Sequence, residues 1–571
     1  MNKEKNIENK EKKSLIKMNT KNKEKNNNKL KKIEYFLNKN VMLLIAILVL
    51  AIGISAIFIT AYFPSTLENA IEKTDYRNDN IIINIVLVCA GLTIIYFLQK
   101  ILDKIKIKYV LAGFSVLFII LSTLFCVYIK IGPIADQGFM ITGAQAVLAR
   151  AMSSFIEPGG YLDMFPYQFG YVIYAAVILK ILGKLTFLTN LINIDAFIYF
   201  QILNSIYNAI NMILLYLIAK RIFKNDKNVL KILTVLLIGF SLYLFFFNTH
   251  IYGNIPGLMF SLIAVYFTIA YLQDRKIYDI IIVGISISGA IIFKTNFNIF
   301  LCGIIIILLM DFLKRVELKK IGMILIILCI FVFSKWGLNK VIGRIIQMPT
   351  PTGVPMISYV YMGFAPSNSL SSGWYTADVI EIYNRSGHDT DEAVKETNRL
   401  ITERLNHFKN DLKEANRYFW DKVKSTWLNP TFQTIWIITP GTRYTDPNYA
   451  EYLSERPVIK EMVGYTENLY KIEEQYFDTY QIIIFVFAGI ALIGLRKEDN
   501  VEILLLPVIF LGGLLFHILW ETKSIYVILY YFILLPFAAK GIDMFFKYIK
   551  EKDFLNKIIL KIKENKENKT K

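Results

Sequence analysis

Cysteine and histidine are scarce in this chain of 571 residues, which contains four of each. All four cysteines lie inside apolar runs, so neither a disulfide framework nor a thiolate metal site is expected. The histidines show no spacing typical of zinc ligands. No GxGxxG loop, Walker motif or GxSxG elbow stands in a suitable setting. The sequence therefore predicts no nucleotide-binding domain. If the chain is an enzyme that transfers a chemical group, we expect the donor of that group to be a membrane lipid and not a nucleotide.

Charged residues are also few, at 19%, whereas 55% of the chain is hydrophobic and the mean hydropathy is +0.44. Soluble domains are about 25% charged. Apolar runs recur along the chain, and a helix needs about 20 apolar residues to cross a bilayer. This pattern excludes an ordinary soluble enzyme. The runs do not alternate with polar residues as barrel strands do, so we predict an all-α polytopic membrane protein.

The net charge of +18 is concentrated at the two ends of the chain. Residues 1–40 carry 13 Lys against 5 Glu, and residues 546–571 carry 9 Lys against 4 acidic residues. The polar stretch 339–478 is slightly acidic, with 15 basic and 18 acidic residues. Basic tails beside membrane helices follow the positive-inside rule and attract anionic lipid. We therefore expect the lipid bilayer as a partner and no nucleic acid.

Thirteen apolar segments are candidate spans, at 41–63, 81–98, 109–129, 167–183, 197–219, 229–247, 255–273, 277–293, 299–313, 321–338, 480–495, 501–520 and 525–545. If all of them cross, several strongly basic loops fall outside. If the segment 167–183 is instead a re-entrant or interfacial helix, five basic regions return to the inside. We therefore predict about twelve transmembrane helices, within one, with both termini cytoplasmic.

This topology predicts six regions along the chain. They are a basic cytoplasmic tail (1–40), two N-terminal transmembrane helices (41–108), a membrane core (109–338) with an outer loop (130–196), an extracytoplasmic domain (339–479), C-terminal transmembrane helices (480–545) and a second basic tail (546–571). Apolar residues recur at helical spacing over 389–424, so we expect the extracytoplasmic domain to be small and helical. Interfacial helices are expected in the outer loop.

Two carboxylates of the outer loop are candidate catalytic residues. Asp136 opens a stretch that reads as an interfacial helix, and Asp163 lies among interfacial aromatic residues. Together they could bind a divalent cation such as Mg²⁺ or Mn²⁺ through oxygen ligands. Alternatively, one could act as a general base that the other orients. The residues themselves fit equally well a helix N-cap at Asp136 and a solvated loop aspartate at Asp163.

Further ionisable residues stand at the outer ends of later spans. Lys294 and Lys523 are suitable partners for a lipid phosphate, and Glu521 could hold one of them or accept a hydroxyl proton. Lysines at this depth also commonly extend to the interface without a catalytic role. Weaker candidates for sugar or phosphate contacts are Asn296, Tyr252 and Asn254.

Four sequence features carry a resemblance to a known family. They are an acidic residue that opens the first major outer loop (Asp136-Gln137), the aromatic-proline segment 161–170, the span ending LLYLIAKRIF (214–223) and the final segment WETKSIYVILYYFILLPFAAKG (520–541). With these features the chain resembles the integral-membrane GT-C type glycosyltransferases, the class that includes protein mannosyltransferases and aminoarabinose transferases. It is most similar to Gram-positive bacterial members.

The sequence also departs from the family pattern at two places. Tyr167 and Gln168 stand where related bacterial sequences often have an Asn pair, and we keep both as substrate-binding candidates. Ile525 replaces an Arg that commonly precedes the Tyr, which leaves Lys523 as the nearby cation. The likeness covers about 109–310 and 501–545.

The resemblance implies an inverting transfer of a hexose or pentose from a polyprenyl-phosphate carrier to an acceptor at the outer face of a bacterial cell membrane. Asp136 would be the base, and Lys294 and Lys523 would stabilise the departing phosphate. Asp163 and Glu521 would be weaker candidates than Asp136 for a carboxylate that takes part in the reaction. The acceptor could be a cell-envelope polymer, a lipid or a protein.

Three other functions remain open at this point. A polysaccharide ligase or polymerase would rely on outer-loop basic residues, namely His388, His407, Arg399, Arg404 and Arg443. A lipid-linked sugar flippase or other transporter would show internal repeats and ionisable residues at mid-membrane, which the sequence lacks. The third is a membrane assembly protein without catalytic activity.

Overall fold

The computed structural model describes residues 30, 32–64, 72–184, 196–366, 371–439, 451, 455–498 and 500–551. Within these ranges the chain is built almost entirely of α-helices, many of them long and apolar. This confirms the predicted all-α polytopic membrane fold. Most of the two predicted tails lies outside the described residues.

Two long helices joined by a β-hairpin form the N-terminal part of the structure. Its elements are α1 (Lys32–Phe58), β1 (Ile59–Tyr62), β2 (Asp75–Asn78) and α2 (Ile81–Ile101). The predicted span 41–63 therefore ends as a helix at Phe58, because the β-branched and aromatic residues that follow it pair as an antiparallel strand. Ala61 of β1 also accepts a hydrogen bond from the side chain of Asn429, which ties the hairpin to a distant part of the chain.

The first polar loop follows the long helix α3 (Ile107–Ile129) and packs against the membrane core. It contains the helices α4 (Asp136–Ala149), α5 (Ser153–Ile156), α6 (Tyr161–Met164) and α7 (Phe169–Lys184). The core itself comprises α8 (Ala196–Ile222), α9 (Lys227–Phe247), α10 (Asn254–Asp274), α11 (Ile277–Phe293), α12 (Asn298–Lys314) and α13 (Leu318–Ile346). Arg275, just before α11, pairs with Asp311 near the end of α12 at 2.6 Å, so the start of α11 lies beside the end of α12 and the turn at 294–297 lies at the other end of this helix pair.

The remaining helices form a polar domain and a C-terminal membrane part. The polar domain contains α14 (Ile357–Phe364), α15 (Asp378–Arg385), α16 (Thr390–Asn410), α17 (Leu412–Trp427) and α18 (Pro457–Val463). The membrane part contains α19 (Asn468–Leu495), α20 (Leu505–Leu519), α21 (Ser524–Phe532) and α22 (Leu535–Glu551). Short 3-10 turns occur at Leu102–Lys104, Pro166–Gln168, Thr295–Phe297, Trp436–Ile438 and Val501–Leu504.

The helix bounds refine the predicted polar domain. The helical stretch expected over 389–424 is two helices, because the side chain of Asp411 accepts hydrogen bonds from the backbone of Lys413 and Glu414 and starts α17 anew. Helix α13 continues to Ile346 and α19 begins at Asn468, so the segment between the two long helices is shorter than the predicted 339–479.

Among the described residues, eleven helices are long and apolar enough to cross a membrane, and twelve if α21 and α22 form one span bent by 53°. The bend coincides with Pro536, whose ring nitrogen cannot donate a helical hydrogen bond. This number agrees with the predicted twelve, within one. The eleven helices include Pro166–Lys184. The apolar helix Ile277–Phe293 has only 17 residues and is not counted among them.

Helix α7 is the segment that we predict to be re-entrant or interfacial. Its buried residues Val172, Ala175 and Ala176 belong to a small apolar cluster that is separate from the main core. The same cluster contains residues of α4, the first turns of α8 and the end of α13 near Ile342. This packing is compatible with a helix that lies along the membrane surface, and the assignment stays a prediction.

We expect a cysteine at the end of α7 to be accessible from outside the cell. Gly183 is exposed, and a side-chain carbon at its position would meet no atom within 4 Å, so Gly183→Cys should fold normally. In a chain without its native cysteines, an impermeant maleimide should label Gly183→Cys as it labels Lys395→Cys of the polar domain. Lys319→Cys at the opposite ends of the helices is the protected control. Protection of Gly183→Cys would show that α7 crosses the membrane.

A buried lysine helps to fasten the polar domain to the membrane part. Lys422 of α17 is 1% exposed, and its ammonium nitrogen donates to the carbonyls of Gly363 (2.7 Å), Trp520 (2.8 Å) and Ile518 (2.9 Å). Burial lowers the pKa of Lys422 to about 7, against the opposing effect of the carboxylate of Glu521. The contact therefore joins α14 and α17 of the domain to the end of α20.

We expect Lys422→Ala to lower the free energy of unfolding by about 3 kcal/mol, because it leaves three buried carbonyls without a donor. The exposed Lys413 on the same helix provides the matched control, Lys413→Ala, which should leave stability unchanged. Thermal unfolding of the purified chain in detergent measures both. Equal stability of the two variants would contradict a fastening role for Lys422.

Candidate active site

A cavity of about 760 Å³ opens where the first polar loop, the membrane core and the polar domain meet. Of the candidate residues derived from the sequence, seven lie in its wall, namely Asp136, Tyr167, Tyr252, Lys294, Asn296, Glu521 and Lys523. These residues are up to 387 positions apart in the chain and come from five separate segments, each at a turn or a helix end. The candidates Asp163, Gln168 and Asn254 do not line the cavity.

Asp136 is the carboxylate at the start of α4. The helix N-cap is Ala135, and no side chain caps this end, so Asp136 does not serve as the N-cap that its position suggested. Its carboxylate instead faces the hydroxyl of Tyr252 at 3.5 Å. Burial raises the pKa of Asp136, while Lys523, Lys294 and the Tyr252 hydroxyl act in the opposite direction. A carboxylate with a raised pKa is a stronger base than an exposed one.

Lys294 leaves the end of α11 in an extended conformation and points between two tyrosine rings. Its ammonium nitrogen lies 4.3 Å from the ring centre of Tyr252 and 4.8 Å from that of Tyr526. Burial lowers the pKa of Lys294 to about 8, although Glu521 and Asp136 raise it. Gly253 allows this arrangement, because a side-chain carbon at that position would stand 2.0 Å from the carbonyl oxygen of Phe293.

Glu521 and Lys523 come from the turn between α20 and α21. Glu521 is 7% exposed, its carboxylate accepts a hydrogen bond from Tyr526 at 3.3 Å, and its backbone N–H donates to the carbonyl of Tyr359 at 2.9 Å. Burial raises the pKa of Glu521, against the effects of Lys523 and Lys294. Lys523 is paired with Glu72, which stands 2.8 Å from its ammonium nitrogen. Two lysines and two carboxylates thus share one cavity.

The wall behind these charges is a network of tyrosines and a glutamine. Gln168 is buried and donates a hydrogen bond to the Tyr252 hydroxyl, and so holds a cavity residue without lining the cavity itself. The hydroxyls of Tyr167 and Tyr359 are 2.7 Å apart. The ring of Tyr359 stacks on Trp520 with centres 5.8 Å apart, and both rings line the cavity.

Asp163 and Asn254 lie outside the cavity wall. The carboxylate of Asp163 accepts hydrogen bonds from the backbone of Gly159 at 2.9 Å and from the Tyr383 hydroxyl at 3.2 Å. The bond to Tyr383 joins the first polar loop to the polar domain. Asp163 therefore connects two parts of the fold, and its carboxylate does not face the cavity. Asn254 is 1% exposed at the start of α10.

A polar ladder inside the membrane core supports the turn that carries Tyr252. Asn204 donates to the backbone carbonyls of Asn248 and His250, and Asn208 donates to the side chain of Asn248. Gln137, next to Asp136, contacts the ring of His250 at 3.2 Å. Sequence reasoning passed over Asn204, Asn208 and Asn248. Their signal was the spacing of asparagines along one face of an apolar helix, where buried amides need partners.

Several cavity residues were missed by sequence reasoning. The polar domain contributes Met356, Tyr359, Tyr375 and Ile380 to the wall, and Glu72 reaches Lys523 from the N-terminal hairpin. No local motif marks these positions.

A metal site receives little support from the donor set. Among the described residues, no group of three or more His, Cys, Asp or Glu side chains is placed to hold an ion. The carboxylate pair proposed for Mg²⁺ or Mn²⁺ is not assembled in the cavity, because Asp163 lies outside its wall.

The four basic residues of the polymerase alternative that the structure describes do not line the cavity either. Arg399 pairs with Glu396 and Glu403 on the surface of α16. Arg404 and His407 both contact Glu414, and His388 contacts Asn384. Arg443 lies outside the described residues.

Comparison with known proteins gives one match. A family model described as dolichyl-phosphate-mannose-protein mannosyltransferase matches residues 183–337, about a quarter of the chain. The matched segment carries Tyr252, Lys294 and Asn296 of the cavity. Neither the curated proteins nor the solved structures gave a match. Together with the apolar helices, the family match supports a multi-pass membrane glycosyltransferase of the GT-C type that uses a lipid-linked sugar.

We expect the affinity of the cavity for a prenyl phosphate to fall about tenfold between pH 7 and pH 9, because Lys294, with a pKa of about 8, loses its proton in this range. Equilibrium binding to the purified chain at a series of pH values measures this. Lys294→Met should bind more weakly at pH 7 and show a flatter profile, whereas Lys395→Met on the exposed face of α16 should follow the wild type. If Lys294→Met shows the same pH profile as the wild type, the loss of affinity is not due to deprotonation of Lys294.

Proposed function

We propose that the chain transfers a sugar from a polyprenyl-phosphate carrier to an acceptor, with inversion, at the outer face of a bacterial cell membrane. The observation that carries the proposal is the meeting of one carboxylate and two ammonium groups in a single cavity at the ends of membrane helices. Asp136 supplies the carboxylate, and Lys294 and Lys523 supply the ammonium groups. In the proposed topology both termini are cytoplasmic.

Asp136 is proposed as the general base. The acceptor hydroxyl oxygen attacks the anomeric carbon of the donor from the face opposite the phosphate and transfers its proton to the Asp136 carboxylate. The bond between the anomeric carbon and the phosphate oxygen breaks at the same time. Its electron pair leaves with the phosphate, which then carries one more negative charge. The raised pKa of Asp136 suits this proton transfer.

Lys294 and Lys523 are proposed as the cations that stabilise the leaving phosphate. Fixed positive charge is most effective where negative charge develops during the reaction and where little water is present. Both ammonium groups lie in the cavity wall beside aromatic rings. Because phosphate is a good leaving group, the proposed mechanism needs no general acid. Glu521 is proposed to support the site without taking part in the reaction, since its carboxylate is held by a hydrogen bond from Tyr526.

The polar domain is proposed to cover the cavity and to select the acceptor. It supplies four wall residues, and one of them, Tyr359, presents its ring beside Trp520. Flat aromatic surfaces suit the apolar faces of sugar rings, and tyrosine hydroxyls can bind sugar hydroxyls. The donor lipid would approach from the bilayer side, and the acceptor, a cell-envelope polymer, a lipid or a protein, from the side of the polar domain.

We expect Asp136→Asn to reduce sugar transfer at least 100-fold, because Asn keeps the size of Asp but cannot accept the proton. The assay uses membranes that contain the full chain and a panel of radiolabelled polyprenyl-phosphate sugars. Asp163→Asn is the matched control, since its carboxylate lies in the same loop but outside the cavity, and it should retain most activity at an equal protein level.

Equal transfer by the wild type and Asp136→Asn would contradict the role of Asp136 and leave the enzyme class intact. An absence of transfer from every donor, with correctly folded protein in the membrane, would contradict the proposed function.

A further inference from the structure

The N-terminal hairpin brings a carboxylate to the proposed phosphate site. Glu72 stands between β1 and β2, and its two carboxylate oxygens lie 2.8 and 2.9 Å from the ammonium nitrogen of Lys523. The pair is largely shielded from solvent, with the side chain of Lys523 16% exposed and that of Glu72 22% exposed. Lys523 lines the cavity and Glu72 does not, so the carboxylate holds the lysine from behind the wall.

Glu72 is itself held in place. The side-chain amide of Gln433 donates to Glu72 at 3.2 Å, and the oxygen of the same amide accepts the backbone N–H of Ile525 at 3.3 Å. Gln433 thus connects the hairpin to the first turn of α21, two residues after Lys523. The contact joins three parts of the chain that are far apart in sequence, which is more than a chance surface ion pair provides.

The two lysines of the cavity differ in one respect. Lys294 has no carboxylate within 4 Å among the described residues, and burial lowers its pKa to about 8. Burial is the largest single effect on Lys523 and acts in the same direction, but Glu72, Glu521 and Asp136 together outweigh it, so the pKa of Lys523 is raised. Glu72 is the largest of the three contributions that raise it. The rings of Trp374 and Tyr375 also lie near its ammonium nitrogen, with ring centres 5.9 and 6.0 Å away.

We propose that Glu72 is a positioning residue of the site, which fixes the ammonium group of Lys523 at the cavity wall and keeps it charged for the phosphate of the lipid carrier. This inference rests on the proposed function. It gives the N-terminal helices, which lie outside the matched segment 183–337, a part in the reaction: they carry the hairpin whose carboxylate completes the anion site.

The test is the binding of a polyprenyl phosphate to the purified full chain at pH 6 and pH 9. Without its carboxylate partner, Lys523 should behave like Lys294. Relative to the wild type at the same pH, Glu72→Gln should therefore bind within twofold at pH 6 and about tenfold more weakly at pH 9. Asp75→Asn removes the same charge from the same hairpin away from Lys523 and should match the wild type at both pH values. Glu72→Asp should restore much of the binding at pH 9.

The outcomes separate this inference from the proposed function. Equal binding by Glu72→Gln and the wild type at pH 9 would overturn it, and so would an equal loss at both pH values, which indicates a merely structural role. If the wild type binds polyprenyl phosphate no better than inorganic phosphate, the lipid-carrier function fails, and this inference fails with it.

Discussion

The site depends on charges that are buried together at the edge of the membrane. An ammonium or carboxylate group that is buried alone loses its hydration and tends to become neutral. Here Lys294 and Lys523 share one cavity with Asp136 and Glu521, so the ammonium groups and the carboxylates partly offset the cost of burying each other. The same balance gives the site its proposed chemistry, because it leaves Asp136 basic and keeps cations beside the place where a phosphate would leave.

The fold serves this arrangement by bringing turns from distant helices to one membrane face. The turn between α11 and α12 places Lys294, and the turn between α20 and α21 places Glu521 and Lys523. The start of α4 places Asp136. The polar domain closes one side and is fastened through Lys422 to the same end of α20. The site is therefore built from helix ends, and hydrogen bonds in the cavity wall connect them.

The sequence predicted the parts of this structure that follow from local physics. Apolar runs identify the helices, and the cost of ionisable residues at membrane edges identifies Asp136, Lys294, Glu521 and Lys523 as candidates. Long-range contacts leave no such signal. Glu72 reads as an acidic residue in a polar loop, and nothing near it points to Lys523, 451 positions away. Asp163 has the same local appearance as Asp136, yet its hydrogen bonds to Gly159 and Tyr383 place it outside the cavity.

The most direct measurement is a density map of the full chain in lipid with a polyprenyl phosphate bound. The account predicts phosphate density in the cavity, within ion-pair distance of the ammonium groups of Lys294 and Lys523 and with the lipid chain leading into the bilayer. A second basic site exists for comparison at the opposite membrane face, where Arg275, Arg315 and Lys320 surround a cavity of about 240 Å³. Phosphate found there, with the cavity at Asp136 empty, would contradict the account.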